Sequence, residues 1–210
     1  EGGRRVQNLY RKSSSSKPLI TIVTVVLNKK KDLEKTIKSV LLQKYENIEY
    51  IIIDGGSINS TISIIKKYNK FIDYWISQKD EGIFDAWNKG IKLSTGDYIC
   101  FLNAGDYFTE KSINHILNKI KKKRSLDIIF GSVMKRKIFS GFEPQKIKTK
   151  LNIFPSFVST FTHKKLFKIY GLFDTSFKNF NDYEFVYRLL KNKKLNWDIT
   201  DKNKLITVFD

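Results

Sequence analysis

Several things are scarce in this chain of 210 residues, and each scarcity removes a class of protein. A single cysteine, Cys100, cannot form an internal disulfide, and its place inside the apolar run from Tyr98 to Leu102 fits a reducing compartment. The two histidines, His115 and His163, are far apart, so a structural zinc site lacks ligands. No stretch approaches the roughly 18 unbroken apolar residues that a membrane-crossing helix needs. Arginine is rare among the cations, with only Arg4, Arg5, Arg11, Arg124, Arg136 and Arg188 among 39 basic residues. Readers of phosphate and base edges favour arginine's planar fork, so a formal charge of +18 does not by itself argue for a nucleic-acid partner. The lysines are spread along the chain among Ile and Asn residues. They read as a solvated coat that could rest on an anionic membrane surface.

What is present describes one globular domain: 41% apolar residues and 29% charged ones, enough to bury a core. Residues 1–17 differ from the rest. They hold Gly2, Gly3 and a serine run from Ser13 to Ser16, with no apolar periodicity, and are expected to be a flexible leader outside the fold. A signal peptide is excluded there because no apolar segment follows the charges. Residues 18–210 then form the single domain.

From Leu19 onward the periodicity alternates. Leu19 to Val26 is a continuous β-branched run, the mark of a strand covered on both faces. A helix follows with Leu33, Ile37, Val40 and Leu41 on one side. Ile48 to Ile53 is a second buried strand, ending at Asp54, Gly55, Gly56 and Ser57. A helix carrying Ile62, Ile65 and Tyr68 is entered through Asn59 and Ser60, both N-cap types. Ile72 to Ile76, Tyr98 to Leu102 and Asp127 to Val133 read as further strands, with helices at Ile83 to Ile91 and at Ile113 to Ile120. Alternation on this scale implies a doubly wound α/β fold, a mostly parallel sheet with helices on both faces. In such sheets the ligand lies beyond the carboxyl ends of the strands. Those ends are polar here: Asn28 after the first strand, Asp54 after the second, Asn103 and Asp106 after the fourth.

Each has a plain reading and a chemical one. Asp54 with its glycines is a common turn sequence, but a carboxylate there could also accept hydrogen bonds from a nucleobase or ribose. In the segment Asp80-Glu-Gly-Ile-Phe-Asp-Ala-Trp-Asn-Lys-Gly90, Gly82 permits close approach and the N–H groups opening the next helix could face a diphosphate. Asp85 and Asn88, three apart, could together grip a sugar hydroxyl, while Phe84 and Trp87 serve the core. Asp106 suits a hard divalent cation, although Ala-Gly-Asp is also an ordinary turn. No Gly-x-Gly-x-x-Gly follows the first two strands and no P-loop occurs, which removes the dinucleotide and P-loop readings.

In this order the motifs resemble the family 2 glycosyltransferases with the GT-A fold, and most of all bacterial members that build surface polysaccharides, over about Pro18 to Val208. The resemblance implies inverting transfer from a nucleotide-diphosphate sugar, a UDP-sugar first among candidates, to a hydroxyl of a saccharide or lipid-linked saccharide at the cytoplasmic side of the membrane. It assigns residues 18–106 to the donor half and 107–210 to the acceptor half. By position Asp54 resembles the base and ribose ligand. Asn103 to Asp106 takes the place of the Asp-x-Asp metal motif, with Asn103 and Gly105 where carboxylates usually stand and Asp106 as the one acid left for Mg²⁺ or Mn²⁺. Asp182, after Asn181 in place of a more usual Glu, matches the general base that takes the acceptor's proton. Helix capping is its plain alternative. The stretch Phe154 to Phe161 with His163 lies where acceptor sites tend to sit, though a Phe-rich run is more often core. Family members usually continue past the position of Phe209, which leaves room for a lid beyond it. Asp54, Asp106 and Asp182 are thus expected round one pocket, with Asn28, Gly82, Asp85, Asn88 and Asn103 on the donor. The rival readings are a nucleotidyltransferase acting on sugar phosphates and a non-catalytic basic binding module.

Overall fold

The computed structural model describes residues 1–58, 60–123, 125–137, 141–144, 157–177, 180–191, 195–201 and 204–209, with backbone only at 135–137, 141–144, 190 and 209. Asn59, expected as a cap, and residues 154–156 of the aromatic stretch lie outside them.

The first strand, β1 (Ile20–Val26), is buried at every position. Successive side chains of a strand point to opposite faces, and β1 divides accordingly. Ile20, Ile22 and Val26 pack with Leu33, Ile37 and Val40 of α1 (Lys30–Leu41), while Val23 and Val25 pack with Ala86, Trp87 and Ile91 of α3 (Ile83–Leu93). A strand covered by helices on both sides must be apolar throughout, which is why its sequence shows no alternation.

Chain order continues through β2 (Ile48–Asp54), α2 (Thr61–Lys67), β3 (Tyr74–Ser77), β4 (Tyr98–Phe101), β5 (Tyr107–Phe108) and α4 (Ser112–Lys122). Then come β6 (Ile128–Phe130), β7 (Ser132–Lys137), β8 (Gly141–Pro144), β9 (Thr160–His163), α5 (Lys165–Tyr170), α6 (Asn181–Leu190), β10 (Trp197–Ile199) and β11 (Leu205–Phe209). A seven-stranded sheet runs β10-β6-β9-β4-β1-β2-β3 and a four-stranded one β5-β11-β7-β8. In the larger sheet the pairings are parallel except those of β9, which is antiparallel to both β4 and β6. The mixed α/β architecture is the one expected, with one strand reversed.

Two expectations are corrected. The single strand from Asp127 to Val133 is two strands in different sheets, hinged at Gly131, where a Cβ would stand 2.5 Å from the Ser159 carbonyl oxygen. Apolar composition is continuous through the hinge and so conceals it. The N-terminal residues are not a loose leader either. Gly2 exchanges two backbone hydrogen bonds of 3.0 Å with Trp75 on the open edge of β3, and Arg4–Gln7 forms a 3₁₀ turn. Arg5 lies 3.3 Å from the buried carboxylate of Glu49, and Arg11 2.9 Å from that of Asp73. Burial pushes the Asp73 carboxyl above its ordinary value, against the lowering pull of the Tyr50 N–H and of Arg11. A segment without apolar periodicity is held by edge pairing and by arginines that neutralise buried acids, and neither leaves a hydrophobic pattern.

Candidate active site

The carboxyl ends of β1 and β4 and the opening of α3 enclose a cleft of about 240 Å³, lined by Val25, Val26, Leu27, Lys29, Asp80, Gly82, Ile83, Ala86, Asn103 and Ala104. A second cleft, of about 200 Å³, adjoins it and shares Gly82 and Ile83; Glu81, Phe84, Asp85, Thr175, Phe177 and Asn181 complete it. Gly82 is the residue that admits both. Its φ of +121° favours glycine, and nothing lies within 4 Å of where a Cβ would stand, so the need is for backbone conformation and open space rather than relief of crowding.

Of the eight site residues read from the sequence, Gly82 and Asn103 line the first cleft and Gly82 and Asp85 the second. Asn103 is held in place: its Oδ1 accepts a 3.1 Å hydrogen bond from the Trp87 indole N–H. Asp85 accepts from the Glu81 N–H at 3.1 Å and pairs with Lys89 at 3.0 Å. Partial burial works to raise its carboxyl, but the Lys89 ammonium, the Glu81 N–H and the charge of Lys92 outweigh that and keep it below the usual carboxylate value.

Others do something different from what was expected. Asp54 is 0% exposed, and its oxygens accept from the N–H of Gly56 and Ser57 at 3.2 and 2.9 Å and from the hydroxyls of Ser57 and Ser77 at 2.5 and 2.7 Å. It therefore organises the turn after β2. Asn28, in the left-handed region at φ 55°, joins two loops: its N–H donates to Ser57 Oγ at 2.8 Å and its Oδ1 accepts from the Ile58 N–H at 3.1 Å. Asn88 does not share a ligand with Asp85. It is buried and clamps the backbone of Phe173, donating to its carbonyl at 2.8 Å and accepting from its N–H at 3.0 Å. Asp106 is 6% exposed and lines neither cleft.

Asp182 stands in the first turn of α6, directly after the cleft-lining Asn181. It accepts from the Tyr183 N–H at 3.0 Å, and burial raises its carboxyl above the ordinary value despite that bond. The acids that line the clefts are thus Asp80, Glu81 and Asp85, not the expected trio. Asp80 and Lys29 were missed as site residues. Asp80 lies shortly after β3 and accepts from the Gly82 N–H at 3.1 Å, so its place at the head of the Gly82 segment was the available signal. Lys29 had none, being one lysine among many. In the aromatic stretch, Phe157 and Phe161 are core, as the plain reading had it, and His163 is the last residue of β9.

The metal expectation meets a chemical obstacle. Asn103 is an amide already engaged by Trp87, Gly105 has no side chain, and Asp106 is buried away from the cleft. Gly105 has a φ of +115°, a conformation that disfavours a carboxylate-bearing residue there. Among the described residues no three His, Cys, Asp or Glu gather where an ion could be held. These residues do not fit the metal.

Comparison with solved structures shows the fold. The chain resembles Staphylococcus aureus TarS 1-349 in complex with UDP-GlcNAc, with a TM-score of 0.74 and 16% identity over 90% of this chain and 58% of that one. It also resembles the mannosyltransferase PcManGT from Pyrobaculum calidifontis, solved with GDP-Man and Mn²⁺, with a TM-score of 0.68 and 12% identity over 98% of this chain and 61% of that one. The fold is therefore the one these two proteins share, the GT-A fold. The Glycosyl transferase family 2 model matches residues 21–199, and the chain belongs to that family. The uncharacterized glycosyltransferase MT1564 of Mycobacterium tuberculosis is 29% identical over 83% of this chain and 70% of its own length. The chain spans about three fifths of the two solved structures just named.

Proposed function

We propose that this chain transfers a sugar, with inversion, from a nucleotide-diphosphate sugar to a hydroxyl of a saccharide acceptor. The observation that carries the reading is the pair of clefts sharing the Gly82–Ile83 wall, with Asp182 next to the residue that lines the second. The first cleft takes the donor. Its cation, Lys29, faces the diphosphate, and the N–H groups of the first turn of α3 add partial positive charge there. Asp80 accepts from a ribose hydroxyl. The second cleft takes the acceptor.

The reaction needs one base. A sugar hydroxyl is a weak nucleophile, so Asp182 removes its proton as the oxygen bonds to the anomeric carbon. The carbon–oxygen bond to the diphosphate breaks in the same displacement, and the nucleoside diphosphate leaves with the electron pair. The raised carboxyl of Asp182 makes it a better proton acceptor than an ordinary surface aspartate.

The donor is a UDP-sugar, supported by the TarS complex, and the acceptor a lipid-linked saccharide of a bacterial surface polysaccharide, supported by the resemblance in motif order. Among the described residues no helix is long and apolar enough to cross a membrane. Contact with the cytoplasmic leaflet falls to the lysine coat. Thermal shift tests the reading: UDP or a UDP-sugar should raise the melting temperature by mass action, while DNA and RNA should not. A panel of UDP- and GDP-sugars that leaves the melting temperature unmoved would sink it.

A further inference from the structure

The turn from Tyr170 to Asp174 is held from two sides. From α6, Arg188 donates to the carbonyls of Tyr170 and Leu172, the second at 2.7 Å, and Asn181 Nδ2 donates to that of Asp174. From α3, Asn88 takes both backbone groups of Phe173: Nδ2 donates to the carbonyl at 2.8 Å and Oδ1 accepts from the N–H at 3.0 Å. The two bonds decide the amide's orientation, since a flipped amide would set oxygen against oxygen and N–H against N–H. Both residues are buried, where a backbone group without a partner is costly.

Apolar packing joins the two helices through the same turn. The Phe173 ring lies 5.4 Å from Trp87 of α3 and 5.1 Å from Phe185 of α6, centroid to centroid. Such contacts are non-directional and tolerate sliding, whereas hydrogen bonds to the N–H and the C=O of one residue fix its register. Chemistry lies at both ends of this link. α3 opens at the Gly82–Ile83 wall that the two clefts share, Thr175 and Phe177 line the second cleft, and Asp182 stands in the first turn of α6. We infer that Asn88 is a positioning residue for the transfer: it sets α6, and with it Asp182, in register with the wall of the donor cleft. This rests on the assignment of the first cleft to the donor and of Asp182 to the base. Asn88 lines neither cleft and acts through the Phe173 backbone. A base displaced by about 1 Å loses about 10²-fold in rate, so the clamp matters to turnover out of proportion to its effect on stability.

Turnover is read as UDP released by the full chain from saturating UDP-glucose, UDP-galactose or UDP-N-acetylglucosamine, with water standing in for the acceptor, well below the melting temperature. Asn88→Ala removes both bonds; Asn88→Asp keeps the volume and the acceptor but sets a carboxylate oxygen against the Phe173 carbonyl. Both should keep the UDP melting shift, which reports an intact fold and donor cleft, and lose about 10²-fold in kcat with KM for the donor unchanged. Ile116→Ala, in the core layer shared with α1, should lower the melting temperature and leave kcat as it was. Because Asn88 acts through Asp182, Asn88→Ala should cost nothing further in an Asp182→Asn background. The inference is overturned if both Asn88 variants retain kcat, if Ile116→Ala loses kcat in the same proportion to its melting temperature, or if the losses at Asn88 and Asp182 multiply. An Asp182→Asn chain that turns over at the parent rate would instead strike at the base reading.

Discussion

The end of β2 and the start of α6 each present an aspartate just where the sequence points to chemistry, yet the two are opposites. Asp54 is sealed from solvent with four donors on its two oxygens, and the turn from Gly55 to Ser57 is wrapped round it. Asp182 is half-buried, accepts the Tyr183 N–H, and has its carboxyl raised by desolvation. A carboxylate sealed from solvent among four donors serves construction, whereas one desolvated without full compensation is the better candidate for a proton acceptor. Motif position alone would have given both the same standing.

The sharpest way to break this contrast is Asp182→Asn. Transfer should fall by about 10²–10⁴-fold, the range of a lost general base, with UDP affinity by calorimetry unchanged. Transfer at the parent rate would remove the assignment. Next in size is Asp54→Ala, which strands two N–H groups and two hydroxyls and should lower unfolding stability in urea by about 3 kcal/mol. Weakened donor binding with unchanged stability would return Asp54 to the nucleoside. Lys29→Met should weaken UDP binding about tenfold, as expected for one lost charge-assisted contact, and addition of EDTA should leave the parent's UDP affinity as it was.

The smallest effects are in pH. Because the Asp182 carboxyl is raised, the acidic limb of activity, where the rate climbs with pH as the base loses its proton, should lie above the ordinary carboxylate range and vanish in Asp182→Asn. The sign for stability is opposite. A carboxyl raised on folding binds its proton more tightly in the native state, so its contribution is present below the unfolded value and lost as pH rises through the native one. Asp182→Asn should therefore melt no lower than the parent at neutral pH, while Asp54→Asn should melt lower. Equal losses in both would erase the difference between the two acids.

The parts of the fold that were legible share one property: they bury apolar residues at a period the backbone imposes. β1, β2, α1 and α3 follow from that, and with them the sheet whose strand ends frame the first cleft. The Gly82 segment was legible for a related reason, since glycine followed by a helix-forming run marks a place where backbone must be exposed. Asn88 was misassigned because helical spacing gives a face but not its surroundings; its partner is the backbone of Phe173, 85 residues further on. The docking of Arg5 on Glu49 and of Arg11 on Asp73 escaped for the same reason. A buried ion pair between distant residues has no period.

The sequence by itself determined the family, the alternation of strands and helices and the edge of the sheet where chemistry would lie, because hydrophobic period and motif order are local properties that survive without a third dimension. Only the tertiary structure decided that Asp54 is sealed among four donors while Asp182 is half-buried with its carboxyl raised, and that Asn103 and Gly105 leave a metal without a cluster among the described residues. Those outcomes depend on desolvation and on hydrogen-bond partners brought from far along the chain, and neither exists until the chain is folded.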